Sequence, residues 1–553
     1  MDKNKGPDLV INNSKVKAQD VKLYTMVFIM YSFCCGGCFG IEEMIPVAGP
    51  GMTVLLLILI ALFWATPQAM ISVELGSAMP YTGGFYKWTQ AGLGEFWAFV
   101  AGWCRVIAQY VENSSYIILG VGYLSTLIPM SEGTAFIIKV AIILFFTAIN
   151  LRGIKEVGWV STLLSMVIII AFAFVAAVGF VNWDSNPIQP FYNEEEGLFW
   201  GISGALAIGM WMYSGYTSVS TLAGDCKDRT VVPKALLIGL PLITLTYLLP
   251  TLAGVSATGN WQDWGSGGIN YSTIAAMAGP VFGALMVVVA IVGCLSNYNT
   301  CMISLSRNFY AIAEDRLAPK ILTKVSKKKG IPYVTIVTIA IVSIIGCTLD
   351  FSTVITMSVT LFIVDYVLVC LSGIALRKKA PNMERPFRLP FGTKGVTLML
   401  MPVFIVAFIA LMINGADYFV SGMAAAAIIP LLYLYFKRKS GGLASFGADS
   451  EEMNPRTKLC YGDLKRIAVL YGVLAALGAI ASFFLPFYEG SWGPEYYMET
   501  YGPENAFAFI IAAVRVLTVV YFVVTCLLAY LSKRLDQKPM AEEDFMKNNE
   551  EGA

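Results

Sequence analysis

The chain has 553 residues, of which 57% are hydrophobic and only 14% charged, with a mean hydropathy of +0.67, far too apolar for a soluble protein of this length. The net charge of +1 comes from 38 basic and 37 acidic residues; the basic ones are sharply segregated, but not into the stripe of a nucleic-acid binder. Histidine is absent, which removes the commonest general base and metal ligand, and the cysteines are scattered through apolar segments rather than clustered as in a secreted disulfide framework.

Residues 1–22 are polar, with Lys3, Lys5, Lys15, Lys17 and Lys22, and read as a cytoplasmic tail. The first apolar run is long and has no small-residue cleavage site, so it is expected to be a retained span and not a signal peptide. At about 20 apolar residues per span, helices are expected near 24–47, 53–76, 95–127, 135–151, 157–181, 199–223, 234–257, 280–306, 333–350, 353–376, 396–414, 417–436, 466–486 and 506–531. This predicts an all-α polytopic membrane protein of about 14 spans. Loop charge supports the parity: Lys87, Arg152, Lys155, Lys227, Arg229, Lys234 and the runs 307–329, 377–394 and 437–466 alternate with loops that carry Glu194, Glu195, Glu196, Glu489, Glu495, Glu499 and Glu504. Both termini are then expected to be cytoplasmic, in a plasma or inner membrane.

Two of these segments depart from ordinary spans. The first is broken at YSFCCGGCFGIEE, residues 31–43, and the sixth, GMWMYSGYTSVSTLAGD, carries Ser214 and Gly215 between aromatics at mid-depth. In a bilayer an unpaired backbone is tolerated only where protein or a water-filled cavity satisfies it. Interruptions five spans apart therefore point to an inverted repeat with a substrate between its halves. Small residues at these places also permit close helix packing.

The chain resembles the amino acid/polyamine/organocation superfamily of secondary transporters over residues 20–440. The likeness rests on the broken first span, on AGPGMTVLLLILIALFWATPQAMISVELGSAMPYTGGFYKWTQAGLGEFWAFVAGW, and on YTSVSTLAGDCKDRTVVPKAL after the sixth span's break. It continues through NLRGIKEVGWVS, AIAEDRLAPK and RKKAPNMERPFRLPFG. Polyamine/proton symporters of plants and protozoa and the related amino acid exchangers look most similar. The resemblance implies a core of two inverted five-helix repeats at 23–380, with alternating access around a midplane site. Helices 11 and 12 follow at 381–440, then a cytoplasmic loop at 441–465, an additional pair of helices at 466–532 and a cytoplasmic tail at 533–553.

The chemistry expected at the breaks follows from helix ends. The N-terminus of the outer half-helix offers N–H groups and roughly half a positive charge to a carboxylate, through Gly37, Cys38, Phe39 and Gly40, with Gly36 also expected at the substrate site. Carbonyls near Trp211, Met212 and Tyr213 suit an ammonium, with Ser214, Gly215 and Tyr216 completing the second break. The third span adds Gln109 and Asn113, which match family positions lining the site, and Glu112 beside them. Trp211 and Tyr216 are candidate aromatic walls, with plain helix packing as the alternative. Intramembrane acids are costly enough to be functional by default, so Glu112, Asp365 and Glu43 are the candidates for proton or charge coupling. Glu42 and Glu43 are expected in the outer vestibule, and Glu74 in a structural hydrogen bond. Asp365 has a helix contact as its alternative role, and Arg105 a snorkelling or paired one.

The resemblance also exposes two departures. Thr217 stands where the plant polyamine symporters and agmatine-type exchangers carry an acid, and the fifth span lacks the buried Lys that replaces sodium in some relatives. Cys35-Gly-Gly-Cys38 has no second CxxC and no His to complete a metal site, so the small side chains are read as substrate lining. The expected function is secondary active transport of an amino acid, as an exchanger or proton symporter, with no cofactor, no metal and no enzymatic activity. Polyamine transport is the alternative. From a different class comes a membrane amino acid sensor that does not transport. Partners are the small-molecule substrate, a proton and the lipid bilayer, with no nucleic acid.

Overall fold

The computed structural model describes residues 20–35, 38–194, 198–228, 230–265, 268–349, 351–446 and 452–536. Gly36 and Gly37 lie outside the described residues. The first crossing segment is split into α1 (Leu23–Cys34) and α2 (Met44–Ala48), and the second runs through α3 (Pro50–Ile60) and α4 (Thr66–Ala78), joined by one wide π turn. A short α5 (Gly84–Leu93) precedes α6 (Glu95–Leu127), α7 (Glu132–Asn150) and α8 (Ile154–Val181). The sixth segment is split into α9 (Leu198–Met212) and α10 (Tyr216–Val219). Then come α11 (Val231–Ala257), the short α12 (Tyr271–Ala276), α13 (Pro280–Glu314), α14 (Tyr333–Gly346), α15 (Phe351–Lys379), α16 (Thr393–Ile413) and α17 (Ala416–Ser440). A two-stranded hairpin, β1 (Met453–Asn454) and β2 (Leu459–Cys460), leads to α18 (Asp463–Tyr488), the short α19 (Gly493–Tyr501) and α20 (Ala506–Leu535).

This is the expected all-α membrane fold, with a broken segment opening each successive set of five. Among the described residues, nine helices are long and apolar enough to cross a membrane. Helices form because a backbone in hydrocarbon must satisfy its own N–H and C=O groups. Their ends follow local signals: Pro50 and Pro280 in the first turns of α3 and α13, a Ser131 side chain accepting from Thr134 N–H at α7, and a capping box of Asn270 and Thr273 at α12.

The loops form two faces, called here the basic face and the opposite face. On the basic face Lys329 Nζ donates to Arg152 O at 2.7 Å and Lys87 pairs with Asp315 at 2.7 Å. On the opposite face Asn193 N–H donates to Ala48 O at 3.1 Å and Lys139 Nζ to Cys347 O at 3.4 Å. Helix α6 packs against α13, α14, α15 and α17, whereas α1 packs against α8, α11 and α13. The additional pair α18 and α20 pack chiefly on each other and reach the rest through α16, α17 and α6.

Buried ion pairs join segments far apart in sequence near the basic face. Glu95 at the start of α6 accepts from Lys437 and, at 2.9 Å, from Tyr433 OH on α17. Tyr433 OH also reaches Asp463 of α18 at 2.8 Å, so one polar knot clamps the peripheral helices to the core. Glu74 is bound by Arg377 Nε at 2.9 Å and by Leu389 N–H at 2.9 Å, the structural role expected of it.

Two expectations are corrected. Helix α13 continues to Glu314, about two turns past the expected end at 306, so Arg307 is a buried helical residue and not part of a loop. Glu42 is not in an open vestibule: it is 6% exposed and accepts from Tyr271 N–H at 3.0 Å at the start of α12.

Candidate functional site

The two helix breaks meet each other. Gly215, at φ +102°, sits so close to α1 that an added Cβ would come within 2.7 Å of Phe33 Cδ1 and 3.1 Å of Cys34 Sγ. Gly40, at φ +106°, brings the first break to 3.1 Å from Trp211 Cζ3 by the same measure. Both are backbone conformations that a side chain disfavours, so glycine here permits the break and the close approach together. Tyr247 of α11 joins the two: its hydroxyl oxygen lies 2.8 Å from Cys34 O and 2.9 Å from Met212 O. One hydroxyl carries one proton, so it donates to one carbonyl at a time.

Between the breaks is a cavity of about 30 Å³, lined from the first break by Phe33, Cys34 and Phe39, and from the second by Trp211, Met212 and Ser214. Tyr116 and Leu119 of α6, Tyr247, and Cys294 and Asn297 of α13 complete it. Behind this wall stands Glu112, 3% exposed. Its Oε1 accepts from the Trp211 indole N–H at 2.9 Å and from Tyr116 OH at 3.2 Å. Among the described residues it has no ion-pair partner. A buried carboxyl with two donors and no cation has the capacity to accept an ammonium group or a proton.

Toward the basic face the cavity is closed by charge. Arg105 of α6 forms an ion pair with Asp365 of α15, donating through Nε at 3.0 Å as well. The guanidinium also donates to Thr217 Oγ1 at 2.9 Å and lies over the rings of Tyr366, at 4.6 Å, and Phe362, at 4.7 Å. Tyr366 OH in turn accepts from Gly215 N–H at 2.8 Å. Nearer the surface, Asp315 gathers Lys87 at 2.7 Å, Gln90 Nε2 at 2.7 Å and Tyr86 OH at 2.9 Å.

Toward the opposite face the closure is aromatic. Phe39 packs on Phe172 at 5.2 Å between ring centroids, Phe172 on Tyr271 at 5.3 Å, and Tyr271 on Trp264 at 5.6 Å. This chain of rings runs from the cavity to the loop that holds Glu43, whose carboxyl lies against Gly265.

The expected residues therefore divide. Phe39, Trp211, Met212 and Ser214 line the cavity, and Gly40 and Gly215 shape the breaks. Cys38 turns away and donates through Sγ to Thr246 O at 2.7 Å; all the described cysteines are free thiols. Tyr213 packs edge-on against Tyr247 at 5.1 Å, and Tyr216 is wholly buried beyond the break; neither lines the cavity. Gln109 is buried outside the lining. Asn113 is turned to α14, with Nδ2 3.5 Å from Ser343 Oγ, because it lies about 100° round the helix from Glu112. Asp365 is a charge partner of Arg105 and not a lone acid. The carbonyls expected to be free are partly used, since Trp211 O accepts from Ser214 N–H at 3.0 Å and Met212 O from Tyr247. Sequence reasoning missed Tyr116, although it stands one turn from Glu112 on the same helix face. It also missed Tyr247, Cys294 and Asn297, for which no local pattern exists.

Comparison with known proteins bears on what such a site serves. A family model described as amino acid permease matches residues 23–434. A protein named "Probable polyamine transporter" from Arabidopsis thaliana is 26% identical over 448 residues, covering 80% of this chain and 90% of its own. A polyamine transporter of Oryza sativa subsp. japonica is 28% identical over 396 residues, covering 70% of this chain and 72% of its own. The serine/threonine exchanger SteT of Bacillus subtilis is 26% identical over 378 residues, covering 66% and 85%.

Proposed function

The chain belongs to the amino acid permease family, an integral membrane family of transporters and not enzymes, and from that premise we propose that it carries an amino acid across the membrane by alternating access, as an exchanger or a proton symporter. The observation that carries this reading is a cavity bounded by both helix breaks. On this reading N–H groups at the first break receive the carboxylate of an α-amino acid, and carbonyls at the second, now partly engaged by Ser214 N–H and Tyr247 OH, receive its ammonium. A cavity of about 30 Å³ holds little more than water, so the substrate enters as the aromatic chain or the Arg105 cluster parts. The transport core comprises residues 23–380 and the termini lie in the cytoplasm, under the plasma membrane.

One observation favours a second reading, a polyamine or other amine as substrate: Glu112 is a carboxylate behind the cavity wall without a cation of its own, and two of the relatives are named polyamine transporters. Against it, the Thr217 hydroxyl takes the place of a second acid and is bound to Arg105. With Arg105 matched by Asp365, the sixth-segment break carries no surplus negative charge for a polycation.

The test is uptake into liposomes containing the purified protein, with labelled serine, threonine, arginine and putrescine. Uptake of an amino acid that is abolished in Gly215→Val supports the first reading. Uptake of putrescine alone, lost in Glu112→Gln, supports the second. Ligand binding without movement of label would make the protein a sensor and overturn both.

A further inference from the structure

Helix α20 is mostly exposed, with only 17% of its most apolar window buried, and its exposed stripe begins and ends on a cation. Arg515 and Lys533 are both exposed. They are separated by roughly five whole turns of helix, about 27 Å, so they lie on the same side of α20. Between them the stripe is apolar, through exposed Val519, Phe522, Cys526 and Tyr530. That spacing is close to the ~30 Å thickness of bilayer hydrocarbon.

Lys533, with Arg534 beside it over the Tyr530 ring at 5.0 Å, marks the headgroup level on the basic face. Arg515 then lies just under the headgroup level of the opposite face, where Trp492, Tyr496 and Tyr501 form an aromatic belt. From that depth a long side chain snorkels outward. Among the described residues Arg515 has no hydrogen bond, ion pair or ring contact. The acids Glu42, Glu74, Glu112 and Asp365 within the spans are buried, whereas Glu132 at the start of α7, Glu495 and Glu499 on α19 and Glu504 after it are exposed on the opposite face, so a carboxylate of a second copy is the competing partner that the dimer outcome of the test reads.

We propose that Arg515 on α20 binds the phosphate of a glycerophospholipid in the leaflet at the opposite face, making the additional helix pair a lipid-anchoring site. The guanidinium offers paired N–H donors to phosphate oxygens, and Phe522 and Val519 lie along the course of the acyl chains.

The test compares full-length wild-type protein with Arg515→Leu, Arg515→Gln and Arg515→Lys. Retained phospholipid is measured by native mass spectrometry, and thermal stability with dioleoyl phosphatidylglycerol, dioleoyl phosphatidylcholine or inorganic phosphate added. The leucine variant puts an apolar residue on an apolar surface, so folding is not threatened. The expected result is lipid retention in the wild type and in Arg515→Lys, and a loss of roughly tenfold in Arg515→Leu and Arg515→Gln, as for one charge-assisted hydrogen bond. Inorganic phosphate is expected to have no effect. Equal retention in wild type and Arg515→Leu would overturn the proposal. So would equal stabilisation by inorganic phosphate, or a dimer that Arg515→Leu converts to monomer.

Discussion

The Trp211 indole N–H donates to Glu112 Oε1 at 2.9 Å, so an aromatic wall of the cavity is held by the buried acid behind it. The same oxygen accepts from Tyr116 OH, and the Trp211 and Tyr116 rings stack at 6.3 Å. Glu112 thus sets the position of two lining rings. Glu112→Gln keeps an oxygen for both donors but removes the charge, and hydrogen bonds to a charged group contribute about 1.5–3 kcal/mol. We expect the variant to fold at wild-type levels while uptake falls roughly 10- to 100-fold, measured in liposomes with protein content matched.

Tyr247→Phe is expected to loosen both breaks at once. It removes the hydroxyl shared by Cys34 O and Met212 O and leaves buried carbonyls with one fewer donor, at a cost of about 1–3 kcal/mol. A fall in melting temperature together with loss of uptake is the expected outcome. An unchanged melting temperature would show that the bridge does not hold the breaks.

Arg105 and Asp365 are expected to behave as one unit. Removing either alone leaves a buried charge uncompensated, which costs about 3–5 kcal/mol, so Arg105→Met and Asp365→Leu should each express poorly. The double variant Arg105→Met/Asp365→Leu should regain much of the lost stability in a thermal denaturation assay. If Asp365→Asn instead folds normally and only its proton dependence of uptake changes, Asp365 is a coupling acid after all.

Gly215→Ala should be far more damaging than Gly120→Ala. At Gly215 the backbone is at φ +102° and the new methyl meets Phe33 at 2.7 Å, whereas at Gly120 the nearest atom is Cys294 Cβ at 3.4 Å. Stability and uptake of the two variants, measured side by side, check this.

Glu489 should make stability depend on pH. It follows α18, is fully buried, and accepts from Tyr497 OH at 2.9 Å. Burial pushes its carboxyl up from 4.5 to about 7, helped by the charge of Asp417 and opposed by the Tyr497 hydrogen bond. A carboxyl raised on folding binds more protons in the folded state than in the unfolded one. Its contribution is therefore complete below about pH 4.5 and is lost as pH rises through about 7. Glu489→Gln should flatten that slope in melting curves taken across this range.

Chain order and membrane crossing were legible because hydrocarbon admits only helices and closed barrels, and an unbroken run of about 20 apolar residues announces a helix whatever its neighbours. Hydropathy predicts the third span at 95–127, and α6 is Glu95–Leu127. Both breaks were legible too, because glycine-bearing interruptions at mid-depth recur five spans apart, which helix packing alone does not require. At the site the sequence could place Glu112 on α6 but not say which neighbours it would meet. Glycine pattern, hydropathy and loop charge are local properties, and they determined the fold class and the two interrupted segments, while the family came from the resemblance of whole motifs. The tertiary structure decided the rest: that Asp365 is matched to Arg105, that Glu42 is taken up by Tyr271, that Asn113 faces α14, and that Tyr247 links the breaks. Each of these depends on contacts between residues far apart in the chain, and a buried polar group's role is set by the partner that compensates it.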